Sequence, residues 1–298
     1  MTGRYLRHTL LTVPARPTRA LWRLALGLTV AGCVMFGLAQ GVMGLLRALL
    51  PADLFDQFAS GLAYADTPVG LLSLLVLMGA MGLGAMVAAE VVHRRPARSL
   101  FGPARVFWPQ FLRVVLALLL LNAVVALLPP WTLWQDVQPG LPIDRWVMLL
   151  PLTLGALLIQ TGAEEVMFRG YLQSQLAARF AHPVVWLTVP SALFAFGHYA
   201  PETYGGNAWL IAGWSFAFGV AAADLTARAG SLGPAIAFHL VNNFAAIAVV
   251  SMQGDMSGLA LVTLPFGPAD EAAVAAYLPV DLLMMAASWL AARLALRL

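Results

Sequence analysis

No lysine occurs in the 298 residues, and charged residues of any kind make up only 10% of the chain. A soluble globular domain carries roughly a quarter. The shortage excludes a disordered chain, a nucleic-acid-binding domain and an ordinary cytosolic enzyme. Cys33 is the one cysteine, so no intramolecular disulfide forms and cysteine usage says nothing about redox compartment. No repeat of about 20–50 residues and no low-complexity tail is present. What fills the chain is hydrocarbon: 61% of residues are hydrophobic and the mean hydropathy is +0.82. The composition is that of an integral membrane protein. The net charge of +3 then points to topology, not to an acidic partner.

A helix needs about 20 apolar residues to cross a bilayer. Eight stretches qualify, near 22–46, 69–92, 107–128, 147–168, 184–200, 208–227, 232–252 and 276–296. The fourth is expected to continue as a helix to about 178, and the fifth is the shortest. Pro129-Pro130, Pro139-Gly140, Gly205-Gly206 and Gly267-Pro268 mark breaks. Trp22, Trp108, Trp131, Trp134, Trp146, Trp186 and Trp209 fall near span ends, as an interfacial belt does. The first apolar run is longer than a signal-peptide core. The small-x-small site Ala63-Tyr64-Ala65 lies too deep for cleavage, so the run reads as a retained helix.

Sorting the arginines fixes an orientation. Arg4, Arg7, Arg16, Arg19 and Arg23 open span 1. Arg94, Arg95, Arg98, Arg105 and Arg113 flank the second loop, and Arg169, Arg179, Arg228, Arg293 and Arg297 follow spans 4, 6 and 8. That puts 15 of the 17 arginines on one side and leaves Arg47 and Arg145 on the other. Asp53, Asp56, Asp66, Asp136, Asp144, Glu202, Asp255, Asp270 and Glu271 share that other side. The positive-inside rule gives an all-α integral membrane protein of about eight transmembrane helices with both termini cytoplasmic. It would be a multi-pass protein of the cell (inner) membrane.

Ionisable groups within spans are costly and therefore functional candidates. Glu165 and Arg169 stand at i, i+4 and can pair. Glu164 is rotated by roughly 100° and has no such partner. It is partly desolvated and beside a second carboxylate, conditions that suit a general base or acid. A structural ion pair is the plainer account of Glu165 and Arg169. If spans 4 and 5 form a hairpin turning near Ala181, Glu164 and His198 are equidistant from the turn and lie at one depth. Ser231 and Pro234 suit the start of span 7. His239 and Asn243, at i, i+4, share a face; helix-to-helix glue is their plainer role. Taken together, a carboxylate and two histidines can activate water, and an amide and an imidazole can donate to an oxyanion. Two His and one Glu are also a zinc ligand set, so the residues leave metal-free and metal-assisted hydrolysis both open.

Glu164-Glu165-x-x-x-Arg169, Phe194-x-x-x-His198 and His239-x-x-x-Asn243, in this order, resemble the CPBP family. These are the CAAX-prenyl type II endopeptidases and bacteriocin-processing intramembrane proteases. Arg169-Gly170 and the Gly-Ser-Leu before His239 add to the likeness, which covers about residues 150–250. The resemblance implies an eight-helix membrane fold with a cavity open to the cytosol. It implies Glu164 as the base activating water with His198, and His239 with Asn243 as the oxyanion pair. Glu165 and Arg169 would support the site. The family is described both as metalloproteases and as metal-independent glutamate proteases; a glutamic endopeptidase that requires no cofactor is the favoured expectation, because the Asn–His pair supplies the electrophile. The alternative is zinc held by Glu164, His198 and His239. The chain then divides into residues 1–145, helices 1–3 without motif; 146–252, the catalytic core; and 253–298, an outer loop and last helix. Expected partners are membrane lipid and a membrane-associated, prenylated or leader-peptide substrate, with no nucleic acid.

Other classes fit less well. There is no His-Glu-x-x-His and no Gly-x-Gly-Asp, which argues against the site-2 zinc and aspartyl intramembrane proteases. Gly213-Trp214-Ser215-Phe216 resembles the rhomboid serine motif, with His239 as base, but leaves Glu164, Glu165 and His198 idle. A proton-coupled transporter using Glu164, His198 and His239 as a relay, with Glu90, Asp224 and Asp281 along the path, lacks an inverted repeat. A non-catalytic scaffold or immunity protein is the remaining alternative.

Overall fold

The computed structural model describes residues 3–129 and 136–298. Pro130, Trp131 and Trp134, expected at a break and in the aromatic belt, lie outside them. Six helices are long and apolar enough to cross a membrane. They are α1 (Leu21–Leu49), α3 (Pro68–Val91), α4 (Ala104–Leu127), α5 (Ile143–Arg179), α7 (Pro201–Ala229, regular from Ala208) and α9 (Glu271–Leu296). α2 (Ala52–Tyr64) is a short helix in what was expected to be an outer loop. The expected fifth and seventh spans are the shorter apolar helices α6 (Pro183–Phe196) and α8 (Gly233–Val249). Fourteen residues of α6 rise only about 21 Å, less than a hydrocarbon core of about 30 Å. The protein is an all-α, multi-pass membrane protein. Its strands, among the described residues, are two-residue pieces: β1 (Gln138–Pro139) and β2 (Val250–Ser251) on either side of β3 (Val262–Thr263). They pin the end of α8 to the loop that follows it.

Polarity is inverted relative to a soluble protein. Leu120, Leu127 and Leu283 are exposed, whereas Arg95, Glu165, Arg169, Gln173 and Ser174 are buried. Lipid tails are as apolar as leucine, so helices associate through close packing and internal hydrogen bonds. Glycines supply the closeness. A Cβ on Gly84 of α3 would lie 2.5 Å from the Ala31 carbonyl oxygen of α1. One on Gly82 would lie 2.9 Å from the Cα of Ala163, which precedes Glu164 on α5. Past the α1–α3 crossing the helices diverge. Leu38, Val42 and Leu46 of α1, Phe58 of α2 and Ile159 of α5 border an apolar cavity of about 890 Å³. Ser73 alone brings a side-chain hydroxyl to its wall.

Residues 3–18 form a chain of short helical turns folded against the Arg-rich end of the bundle. Tyr5, His8, Leu11, Thr12 and Ala15 are buried. Arg95 holds the segment down, donating from Nη2 to the Leu11 carbonyl at 3.0 Å and from Nη1 to Ser174 Oγ at 2.8 Å. Tyr5 donates to Asp224 Oδ1 at 2.8 Å. Arg228 (2.8 and 2.9 Å) and Trp289 (3.2 Å) bind the same carboxylate. Asp224 therefore joins the N-terminal turns, α7 and α9.

This segment corrects one expectation. Trp186 is not an interfacial anchor: it is fully buried, with Tyr5 edge-on at 5.2 Å and the His8 ring at 4.9 Å. Trp22, Trp108 and Trp209 remain exposed. Neither His8 nitrogen has a hydrogen-bond partner among the described residues. Burial, aided by the Arg95 charge, pushes the His8 pKa down to about 3.

Candidate active site

Two helices change character where the candidate residues sit. α5 is regular through Glu165 and then becomes a π-helix over Val166–Gln173. α8 is regular through Asn243 and becomes a π-helix over Phe244–Val249. A π turn bonds each N–H one residue farther back, widening the helix, and is frequent at functional sites.

Glu165 is the buried centre. Its Oε1 accepts from Arg169 Nη1 at 3.0 Å and lies 2.8 Å from His239 Nδ1. Arg169 also donates from Nη2 to the Gly219 carbonyl at 3.1 Å. Both side chains are wholly buried. The pair thus links α5 to α8 through His239 and to α7 through Gly219. Because the guanidinium neutralises Glu165, the carboxylate accepts, and His239 donates from Nδ1.

Glu164 meets the other edge of the same imidazole. Its Oε2 lies 3.5 Å from His239 Nε2 and has no hydrogen-bond partner among the described residues. Within α5 alone Glu164 faces no ionisable neighbour; α8 brings an imidazole to 3.5 Å without a hydrogen bond. The 3.5 Å separation is at the outer limit of a direct hydrogen bond, and that oxygen is closed off from solvent. The His239 ring is held against Phe218 at 4.8 Å and Phe194 at 6.1 Å, which fixes its orientation.

Phe194 is the hub of the remaining residues. The Arg169 guanidinium lies 4.8 Å from its ring centre, a cation–π contact. The His198 ring lies 4.4 Å away on the next turn of chain. His198 stands just past the end of α6, half-buried, with Nδ1 at 2.8 Å from the Phe194 carbonyl. Donation there leaves Nε2 with its lone pair. Among the described residues no hydrogen bond or ion pair joins His198 to Glu164; the Phe194 ring neighbours His198 and His239.

Asn243 donates from Nδ2 to Gln160 Oε1 at 3.0 Å. Gln160, one turn before Glu164 and 4% exposed, is a site residue that sequence reasoning missed. Its one signal is the i−4 spacing from Glu164, weak for an amide in an apolar helix. The structure does not gather Glu164, His198 and His239 as metal ligands: among the described residues no group of three His, Cys, Asp or Glu is placed to hold an ion. Ser215 is buried, and its hydroxyl has no partner among the described residues. Both His239 nitrogens face glutamates instead, so the serine–histidine reading gains no contact.

Residues 146–245 match the family described as type II CAAX prenyl endopeptidase Rce1-like, a protease family. The chain is also similar to the uncharacterized protein YyaK of Bacillus subtilis (strain 168), at 26% identity over 183 residues. That alignment covers 59% of this chain and 59% of the relative's own length. No solved structure matches. Every residue of the buried cluster, from Gln160 to Asn243, falls within the matched stretch.

Proposed function

We propose that the protein is an intramembrane endopeptidase of the glutamic type, acting on a membrane-associated protein or peptide in the cell (inner) membrane. The observation that carries this reading is the burial of Glu164 and Glu165 on either side of one imidazole, 3.5 and 2.8 Å from its two nitrogens. A structural ion pair needs one carboxylate for one guanidinium. Here Arg169 and His239 already engage Glu165, and Glu164 is left over with an unpaired oxygen in a desolvated place.

In the proposed reaction a water held by Glu164 and the His198 base loses a proton to the Glu164 carboxylate. Its oxygen attacks the scissile carbonyl carbon. The carbonyl oxygen becomes an oxyanion, stabilised by the free Asn243 N–H and by His239 Nε2–H when that ring is doubly protonated. Collapse breaks the C–N bond, and the proton taken by Glu164 passes to the leaving amine. Arg169 and Glu165 hold His239 in place. No metal enters these steps. The family matched over residues 146–245 makes a prenylated protein one substrate class; a leader peptide is the other.

The test is cleavage in proteoliposomes by variants that still insert. Glu164→Ala, His198→Ala and His239→Ala each abolish hydrolysis, whereas Ser215→Ala retains it. Full activity in any of the first three refutes the mechanism, and ion flux without cleavage favours transport. Activity lost to a chelator and restored by zinc overturns the metal-free step.

A further inference from the structure

Arg16, Arg19 and Arg179 meet at a concavity of about 710 Å³ at the Arg-rich end of the bundle. Arg16 belongs to the N-terminal turns, Arg19 to the link into α1, and Arg179 ends α5. None of the three takes part in an ion pair among the described residues, and no acidic residue lines the pocket. Guanidinium groups repel one another, so unrestrained surface arginines spread apart. These three are brought together by the fold: Arg95 pins residue 11, Ala15 is buried beneath its neighbour Arg16, and the turn after Arg179 closes the α5–α6 hairpin. The first turn of α1 opens onto the same pocket. Its N-cap, Ala20, offers no side-chain acceptor, and no acidic residue follows in that turn. The amide dipoles there add positive potential to that of the arginines.

The rim settles what kind of anion fits. Leu21 and Trp22, the first residues of a spanning helix, border the pocket. Both are exposed, 48% and 63%, with Arg23 over the Trp22 ring at 5.1 Å. Tryptophan in that setting marks the headgroup level of a bilayer. A ligand with its anion in the pocket lies where acyl chains can run down the exposed side of α1. We propose that this pocket binds the phosphate-bearing headgroup of an anionic membrane lipid, with bidentate arginine–phosphate contacts. The bound lipid bridges the N-terminal turns to the helix that carries Glu164 and Glu165. The site does not depend on the hydrolytic reading.

The test titrates the intact chain, in mixed micelles read by native mass spectrometry, with phosphatidylglycerol, phosphatidylcholine and inorganic phosphate. Phosphatidylglycerol binds at least about tenfold more tightly than either of the others, given about fivefold per arginine at a membrane surface. Arg19→Gln/Arg179→Gln weakens it about 25-fold on the same basis, and Arg98→Gln/Arg105→Gln, equal in charge but outside the pocket, changes it less than about twofold. Arg19→Lys/Arg179→Lys falls between wild type and the glutamine pair, because charge is kept and the fork is lost. An unchanged thermal unfolding profile shows that each pair folds. Equal weakening by both glutamine pairs would mean diffuse surface charge and overturn the proposal. So would inorganic phosphate binding as tightly as the lipid, or no preference over phosphatidylcholine.

Discussion

Arg169→Met tests whether the buried cluster is one electrostatic unit. The guanidinium and the Glu165 carboxylate are 3.0 Å apart and wholly buried. At an effective dielectric of about 20 their gross attraction is about 5 kcal/mol, most of which repays desolvation. Removing one partner strands the other, which costs about 3–5 kcal/mol. The lost bond to the Gly219 carbonyl and the contact over Phe194 add about 1 kcal/mol each. Methionine keeps the stem volume, so no large cavity offsets the comparison. In a bilayer the unfolded helices also find partners, which argues for the low end, about 5 kcal/mol. Glu165→Gln alone strands Arg169 and costs about 3 kcal/mol. The double variant has no stranded charge, and the amide oxygen introduced at position 165 can still accept from His239 Nδ1. Its cost should be about 4 kcal/mol, not the sum of about 8. Reversible unfolding by dodecyl sulfate in mixed micelles measures all three. Additivity within about 0.5 kcal/mol would show that the two side chains are energetically independent and refute the reasoning.

Three further outcomes follow from particular contacts. Gln160→Leu frees the Asn243 amide, so kcat on a cleaved substrate falls roughly tenfold with KM little changed, while Gln160→Glu, which keeps an acceptor, recovers most of the rate; a pure stability effect would move neither ratio. His8 is held near a pKa of about 3 against an ordinary 6.5. Below pH 6.5 the undocked N-terminal turns take up a proton that the docked turns refuse, so docking is at full strength above pH 6.5 and weakens as pH falls toward 3. At pH 5 the loss is about 2 kcal/mol, visible as faster amide exchange over residues 3–18 and absent in His8→Phe. Gly84→Leu drives a side chain into the Ala31 carbonyl and lowers stability by about 1–3 kcal/mol, whereas Gly37→Ala, which meets open space, is neutral or stabilising in the same unfolding assay.

Much of the scaffold was legible because bilayers impose simple rules. Helix length, arginine placement and the continuation of α5 to Arg179 all follow from apolar runs and charge. The Glu165–Arg169 contact follows from i, i+4 spacing. What escaped depends on distant partners. Glu164 looked solitary on α5, since His239 reaches it only when α8 packs alongside. Gln160 carries no charge and breaks no pattern. The π stretches leave no mark in composition, because shifting the hydrogen bond by one residue alters geometry without altering polarity. Trp186 looked like an anchor because nothing in its own helix shows that residues 3–18 cover it. α6 ends at Phe196, which leaves His198 on a turn; the apolar run itself gave no reason to stop there.

Asp224 has a consequence for how the protein is made. Its carboxylate receives Tyr5, 219 residues away in sequence, and Trp289 on α9. Residues 3–18 therefore leave the ribosome long before the surface that receives them exists. α7 must be in place to offer the carboxylate, and α9 must follow before Trp289 can bind its second oxygen. His8 and Leu11 can meet Trp186 and Arg95 earlier, but until α7 is in place Tyr5 has no acceptor. Tyr5, made well before α7 and α9, settles only once they are in place, and a truncation of α9 should be felt at residue 5.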